Sequence, residues 1–362
     1  MGNNKHATKK DLGNILMESF KTAHRDYKPN DIRDDVDNRF RVSISYNQGW
    51  RAKCHAIEML HGSMDDSFRM LPIYLHNIMI HNPGSMTNLV TDSQNKFLMC
   101  YMSFGAVIRS FVQYVRPIII VDGAHLKDGY LGTNLVAVAM DANNGILPLA
   151  YRTSDFQDHL SVFQRRLKAS YKYLVDVGFN KLSRNQADRV RYAYLTSNSV
   201  KSINALSKHA RKLPVCMLLE FFRASIQDWF FKHHNKVVSL TLTVTPYSER
   251  KLVKRTNKSR RWQTFPSTNN LIEVRDGRKN RFVNLEERSC SCGQWKLSSI
   301  PCGHVIAATR LFGVQDVTCY VLHWFTSESY INTYSEHILP LPHRSEWSDP
   351  GPKILQIVNP PI

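Results

Sequence analysis

Four side chains that commonly ligate metals lie within fifteen residues of one another in the last quarter of the chain. Cys290 and Cys292 are separated by one residue, nine residues follow, and Cys302 and His304 are again separated by one residue. Three thiolates and one imidazole form a ligand set that suits tetrahedral Zn²⁺. Because protein side chains would fill all four positions, the spacing predicts a structural zinc site with no position for water or substrate.

A module of this size depends on its metal. It buries too little apolar surface to fold alone, so zinc binding would contribute folding free energy, about 10–16 kcal/mol by analogy with zinc-finger peptides. We expect Trp295, Leu297 and Ile300 of the intervening loop to pack beneath the metal. Gly293 and Gly303 should let the backbone turn close to the sulfurs.

The remaining cysteines indicate a reducing environment. The chain has seven cysteines, and Cys54, Cys100, Cys216 and Cys319 lie far apart in the sequence, unlike the disulfide framework of a secreted protein. No apolar run approaches the roughly 20 residues that span a bilayer, and residues 1–10 lack the apolar segment of a signal peptide. We therefore expect a soluble, intracellular protein without a membrane partner.

The charge balance implies a polyanionic partner. Lys and Arg number 48 and Asp and Glu 30, which gives a net charge of +18. Such a charge attracts nucleic acid or an acidic membrane surface, and charge alone does not distinguish them. One dense basic run precedes Trp262 and is a candidate for contact with DNA phosphates, the alternative being a solvated linker. It consists of Arg250, Lys251, Lys254, Arg255, Lys258, Arg260 and Arg261.

Hydrophobic periodicity in the first half predicts helices followed by strands, and hence an α+β fold. Apolar residues at helical spacing, as from Phe68 to Met79, predict a helical lead-in over residues 1–115. The apolar run from Pro117 to Asp122 predicts a strand buried on both faces and ending in a carboxylate. Residues 131–140 and 145–151 read as two further strands joined by an Asn-Asn-Gly turn, which completes a three-strand meander.

The second half predicts a helical region, a linker, a small metal-binding module and a tail. Residues 116–235 end in helices, because Leu218, Phe222, Ile226, Trp229 and Phe230 recur at three- and four-residue steps on one face. Residues 236–270 form the basic linker. Residues 271–320 form a ββα module, with a hairpin around Asp276-Gly277 and a helix from His304 to Phe312. Residues 321–362, rich in proline, are expected to be extended.

The segment CSCGQWKLSSIPCGHVIAA resembles a SWIM zinc finger, whose pattern is Cys-x-Cys, a variable loop, and Cys-x-His. The spacing is specific to that family. SWIM fingers occur in plant Mutator-like transposases and related chromatin-associated proteins, so the resemblance implies binding of DNA or of a protein partner without distinguishing the two. It also implies a nuclear protein. The oligomeric state stays open.

A second resemblance concerns a carboxylate at a strand end. RPIIIVDGAHLKDGYLGTNLVAVAMDANNGILPLAY is similar to the start of the Mutator-like transposase domain, an RNase-H-like fold whose first strand ends in a catalytic Asp; the match is Asp122. Two-metal phosphoryl transfer needs several carboxylates around its Mg²⁺ ions. The position that matches the family's third carboxylate is Lys201, which would repel a cation. Asp122 is therefore interpreted as a remnant, with Mg²⁺ expected only if catalysis survives.

The resemblance also implies an internal deletion that truncates the RNase-H-like domain. After Tyr151 the chain passes to FQDHLSVFQRRLKASYKYL, which resembles a helical region that lies much later in the family. Neither Asp155 nor Asp158 is expected to follow an apolar strand, so neither is a convincing second carboxylate. Removal of the later strands should leave strand edges unpaired and apolar surface exposed, which favours aggregation.

Several hypotheses for function remain open. The favoured one is a catalytically inactive, transposon-derived zinc protein that associates with DNA or chromatin. The alternatives are an active DDE-type transposase, with Asp141 or Glu220 supplying a further carboxylate, and a domesticated transcriptional regulator. A degenerate element without a selected function is the last hypothesis.

Overall fold

The structure is a computed structural model that describes residues 29–61, 63–126, 132–155, 198–208, 210–351 and 357–361. The α-helices within these ranges are α1 (Pro29–Phe40), α2 (Tyr46–His61), α3 (Met64–His81), α4 (Gly105–Tyr114), α5 (Asn198–Leu206), α6 (Val215–Val237), α7 (Pro246–Ser259), α8 (Gln294–Ser298), α9 (Gly303–Leu311) and α10 (Ser327–Thr333). The strands are β1 (Met86–Thr91), β2 (Phe97–Ser103), β3 (Ile120–His125), β4 (Gly132–Met140), β5 (Ile146–Asp155), β6 (Gln263–Pro266), β7 (Leu271–Arg275), β8 (Asn280–Asn284) and β9 (Ser289–Cys290). No helix in these ranges is long and apolar enough to cross a membrane.

The larger sheet contains the predicted meander. Its strand order is β1-β2-β5-β4-β3, and all neighbouring strands are antiparallel. The turn between β4 and β5 begins at Asp141, whose carboxylate accepts the Gly145 N–H at 2.6 Å. Asn144 has a φ of 65° in this turn, a conformation that asparagine tolerates. The predicted α+β class is therefore confirmed.

The strand that carries Asp122 is less buried than its apolar sequence predicts. β3 is an edge strand whose residues alternate between half-buried and exposed, and Val121 is 51% exposed. No other strand of the described ranges pairs with its outer edge. The expectation of a strand buried on both faces is wrong, because β3 lies at the edge of the sheet and begins only at Ile120. The earlier apolar residues belong to the segment that leads into it, where Ile118 N–H donates to the Arg116 carbonyl.

The lead-in is not helical throughout. Helix α3 has the predicted spacing, with Phe68, Leu71 and Ile78 buried. Residues 86–103, however, form the β1–β2 hairpin, and β2 pairs with β5 in the larger sheet. The helical prediction is wrong there, because pairing with a distant strand determines the conformation of a short segment. The sheet thus extends across the expected domain boundary at residue 115, and residues 1–28 lie outside the described ranges.

The main core forms where α6 packs on the larger sheet. Four of the five apolar residues predicted for its buried stripe are at most 1% exposed, namely Leu218, Phe222, Ile226 and Phe230. The fifth, Trp229, is partly buried and packs against the same core. The ring of Phe222 stacks on that of Tyr151 of β5, with 3.8 Å between the centroids. The predicted core stripe is confirmed. Residues 156–197, which follow the deletion proposed after Tyr151, lie outside the described ranges.

The expected linker and the expected tail are both structured. Residues 246–259 form α7, which begins with Thr245 as its N-cap, and residues 263–266 form β6 of a second sheet with the order β6-β7-β8-β9. Within the tail, α10 and the buried Tyr334 pack into the main core. The Tyr334 hydroxyl donates to Asp141 Oδ2 at 2.8 Å. The expected extended conformation is found only after α10. There the described residues contain no helix other than a 3₁₀ turn at Arg344–Glu346.

Candidate metal centre

The four predicted zinc ligands meet at one point. Each residue offers one ligand atom, and these atoms all lie within 4.8 Å of one another. The distance between the sulfurs of Cys290 and Cys292 is 3.4 Å, and that between Cys302 Sγ and His304 Nδ1 is 3.8 Å. Tetrahedral Zn²⁺ with Zn–S bonds of about 2.3 Å places its sulfur ligands roughly 3.8 Å apart. The donor set and its spacing therefore fit a zinc ion.

Short elements of the second sheet and two helix ends position the four donors. Cys290 ends β9, and Cys292 precedes Gly293, whose φ of 69° reverses the chain ahead of α8. Cys302 is the N-cap of α9, and His304 lies in the first turn of the same helix. The Gln294 backbone N–H donates to Cys292 Sγ at 3.4 Å. The positive φ explains the glycine expected after the second cysteine.

The site is closed to substrate. Cys302 is fully buried, Cys290 and His304 are less than a tenth exposed, and Cys292 is half-buried. A zinc ion held by these four side chains has no remaining tetrahedral position for a reacting molecule. The predicted structural role of Zn²⁺ is confirmed by the donor set.

Crowding of the sulfurs shows why a cation belongs among them. Hydrogen bonds from Cys290 and Cys302 lower the pKa of Cys292 far below its usual range, whereas hydrogen bonds with Cys290 and Cys292, together with burial, raise that of Cys302 far above it. Three adjacent thiolates repel one another, so only some of them ionise without a counterion. Zn²⁺ would stabilise all three as thiolates.

A carboxylate that the sequence analysis missed lies behind the histidine. His304 Nε2 is 3.3 Å from Asp276 Oδ2, on the side of the ring away from the sulfurs. Burial lowers the pKa of His304, but hydrogen bonds with Cys290, Cys292 and Asp276 raise it to about 9. In the sequence Asp276 signals only the turn of a hairpin. Its position behind a metal ligand depends on how that hairpin packs against α9.

Aromatic packing fixes the other face of the imidazole. The Trp262 ring stacks on that of His304, with centroids 4.6 Å apart and an interplanar angle of 24°. A Cβ added at Gly303 would lie 2.8 Å from the Trp262 ring, so only glycine fits without a shift. A close approach of the Gly303 backbone to the sulfurs was predicted. In the structure it is the Trp262 indole that lies close to Gly303 and requires glycine there.

The loop between the ligand pairs packs largely as predicted. Trp295 is 4% exposed and Ile300 is fully buried, whereas Leu297 is 53% exposed. The expectation for Leu297 is wrong. Two residues along a helix turn the side chain by about 200°, so Leu297 lies on the opposite face of α8 from Trp295.

The basic run forms two surfaces of α7. Buried Leu252 and Ser259 lie on the side that packs against α9. Most of the basic side chains are exposed on the other side or just after the helix: Arg250, Lys254, Lys258, Arg260 and Arg261. Lys251 is half-buried, with Nζ 5.0 Å from the Tyr247 ring centroid. The run is therefore a helix with a cationic face, and not a solvated linker.

Arg255 differs from the other basic residues of α7. Its Nη1 donates to the carbonyls of Ile300 at 2.6 Å and Pro301 at 2.8 Å, next to the ligand Cys302, and Nη2 donates to Ser298 Oγ at 3.2 Å. Both terminal nitrogens of its guanidinium therefore contact the loop of the finger. Sequence reasoning grouped Arg255 with DNA-contacting residues because spacing alone does not identify the buried side of a helix.

Asp122 has an amide partner. Its Oδ2 accepts a hydrogen bond from Asn204 Nδ2 of α5 at 3.2 Å, and Lys201 of the same helix is exposed. Among the side chains that the structure describes, the zinc cluster is the only group of three or more His, Cys, Asp or Glu that could hold a metal. Asp155 is the last residue of β5, which extends four residues beyond the strand predicted to end at Tyr151. Asp158 lies outside the described ranges.

The two alternative carboxylates have structural partners. Asp141 is fully buried, burial raises its pKa, and the Gly145 N–H and Tyr334 hydroxyl both donate to it. Glu220 accepts hydrogen bonds from Arg223 and from the Tyr74 hydroxyl. Both carboxylates therefore connect elements of the main core.

The fold and the donor set together define a small structural zinc-binding module of the Cys₃His kind. Comparison with family models identifies it more closely: residues 278–311 match the SWIM zinc finger. The chain therefore contains a SWIM zinc finger, and the matched segment begins two residues after Asp276. Neither a search of curated proteins nor one of solved structures finds a protein similar to the chain.

Proposed function

We propose that this protein is a catalytically inactive, DNA-associated zinc protein descended from a plant Mutator-like transposase and located in the nucleus. The SWIM finger serves as a structural unit that holds the cationic helix α7. A zinc site without an open position binds no substrate itself. The observation that carries the proposal is therefore the arrangement of basic residues on α7.

The cationic face of α7 has the spacing of a phosphate-binding surface. Arg250, Lys254 and Lys258 recur every four residues, so they lie along one side of the helix, and Arg261 follows shortly after its end. All four side chains are exposed. Because the buried side of α7 packs on the finger, these cations face outward, where they can approach a DNA backbone. Contacts of this kind release condensed counterions and favour binding without sequence preference.

The loss of catalysis is proposed from the surroundings of Asp122. Phosphoryl transfer with two metals needs carboxylates that bridge ions about 3.5–4 Å apart. Asp122 forms no such cluster with the other described side chains, and its Oδ2 accepts a hydrogen bond from the Asn204 amide. A Mg²⁺- or Mn²⁺-dependent cleavage or joining of DNA that disappears in Asp122→Ala would contradict this part of the proposal.

DNA association is tested by a salt titration of the zinc-loaded chain. Fluorescence anisotropy of a labelled DNA duplex, measured from low to moderate salt, should give an affinity that falls steeply with salt. Substitution of four cations, R250Q/K254Q/K258Q/R261Q, should lower the affinity at least about tenfold and reduce the logarithmic salt slope by about 3–4.

A matched control removes the same amount of charge elsewhere. A second set of four exposed cations lies outside α7 and the zinc finger: Arg69, Lys208, Lys232 and Lys236. The variant R69Q/K208Q/K232Q/K236Q therefore lowers the net charge equally. We expect this variant to keep most of the affinity and the salt slope. A flat salt response of the wild-type chain, or equal losses in the two variants, would contradict DNA association through α7.

A further inference from the structure

The two carboxylate oxygens of Asp276 have different partners. Oδ1 accepts the backbone N–H groups of Arg278 and Lys279, each at 2.8 Å, across the turn between β7 and β8. Oδ2 lies 3.3 Å from His304 Nε2. These backbone hydrogen bonds fix the carboxylate, and Gly277 with a φ of 83° completes the turn. The second oxygen is thereby directed at the metal ligand.

The geometry assigns the two nitrogens of His304 to different tasks. Nδ1 faces the cysteines, at 3.8 Å from Cys302 Sγ, and Nε2 faces Asp276. A nitrogen that binds zinc does so through its lone pair, so the ring proton must be on the other nitrogen. A carboxylate beside Nε2 accepts that proton's hydrogen bond and favours this tautomer.

We propose that Asp276 is a positioning residue of the zinc centre, which holds the His304 imidazole in the tautomer and orientation that bind the metal through Nδ1. The carboxylate acts through His304 and does not touch the ion. With Trp262 stacked on the ring face, it restricts both rotation of the ring and exchange of its two nitrogens. Such partners typically change metal affinity by about 10–100-fold.

The simpler explanation is that Asp276 only forms a turn, and the chain offers a direct comparison. Asp92 Oδ1 likewise accepts two backbone N–H groups, from Gln94 and Lys96, each at 2.8 Å. That turn joins β1 and β2 in the larger sheet, and Asp92 is not a member of the zinc cluster. The same turn therefore forms away from the zinc site. Asp92 is a matched control that separates the effect of the turn from an effect on His304.

The test uses Asp276→Asn in the full-length chain. The Asn oxygen can still accept both backbone N–H groups, which preserves the turn, but its amide then presents a donor to the Nε2 proton. If the amide were flipped, its NH₂ group would instead face the two backbone N–H groups of the turn, and donors would meet donors. We expect competition with a chromophoric chelator to give a zinc affinity about 10–100-fold weaker than wild type. The absorption bands of the Co²⁺-substituted chain should also shift, because the histidine ligand is displaced.

Two outcomes would overturn the proposal. Wild-type zinc affinity and an unchanged Co²⁺ spectrum in Asp276→Asn would show that the residue serves the turn alone. An equal loss of affinity in Asp92→Asn would show a general effect of weakened turns. Because both measurements follow the metal, they are independent of whether the chain binds DNA.

Discussion

The zinc finger and the surroundings of Asp122 are two places where the sequence suggests a metal, and they differ in how their ligands are encoded. All four zinc ligands come from fifteen consecutive residues, and they meet within 4.8 Å. The site type suggested for Asp122 draws its ligands from distant elements, and the described partner of Asp122 is the amide of Asn204. A contiguous site needs only local folding, whereas a dispersed one needs every contributing element in place.

The largest difference between the two regions should appear on removal of a ligand. Cys302→Ser takes one thiolate from a buried position, so most of the zinc-derived folding free energy of the finger, about 10 kcal/mol or more, should be lost. Limited proteolysis should then cut between residues 263 and 311, and the loss of zinc is measured by metal analysis. Cys319→Ser, at an exposed cysteine, is the control and should retain the metal. If the Cys302→Ser chain kept stoichiometric zinc, Cys302 would not be a required ligand, and the comparison of a contiguous zinc site with a dispersed one would fail.

A smaller effect is expected where α7 meets the finger. Arg255→Gln removes the hydrogen bonds to the carbonyls of Ile300 and Pro301. The Ile300 carbonyl still accepts from Ser298 Oγ at 3.1 Å, whereas the Pro301 carbonyl loses its partner, and an unpaired, partly buried carbonyl costs about 1–3 kcal/mol. The free energy of unfolding of the zinc-loaded chain, from denaturant titration, should fall by that amount. Arg250→Gln, at an exposed position on the same helix, should leave it nearly unchanged. Equal stability of the two variants would mean that α7 is not held by the zinc loop.

The smallest effect is expected at Asp122. Asp122→Ala removes one hydrogen bond to Asn204 at a half-buried position, which should change stability by about 1 kcal/mol. A metal that binds the folded chain raises its melting temperature. We expect added Mg²⁺ to change the melting temperature of the wild type and of Asp122→Ala equally. A rise confined to the wild type would indicate a second metal site that includes Asp122.

Sequence patterns were most informative where the relevant interactions are local. The Cys-x-Cys and Cys-x-His spacing predicted the zinc centre, the Asp276-Gly277 turn predicted the β7–β8 hairpin, and the stripe from Leu218 to Phe230 predicted the buried face of α6. Each pattern lies within one segment, and each follows from the period of a helix or strand or from the chemistry of adjacent side chains.

Predictions were wrong where distant segments meet. Residues 86–103 form strands because β2 pairs with β5. Tyr334 of the expected tail is buried in the main core, where its hydroxyl donates to Asp141. Arg255 looked like its basic neighbours until the packing of α7 placed its guanidinium on the carbonyls next to Cys302. None of these contacts produces a periodic signal in the sequence.

The sequence by itself determined that the chain holds a structural zinc ion in a SWIM finger, because the four donors and the turns between them are adjacent in the chain. The tertiary structure decided what surrounds that ion. It placed Asp276 behind His304, Trp262 against Gly303 and the cationic face of α7 outward. These relations depend on the packing of the β7–β8 hairpin and α7 against α9, and packing is a property of surfaces that become neighbours only after folding.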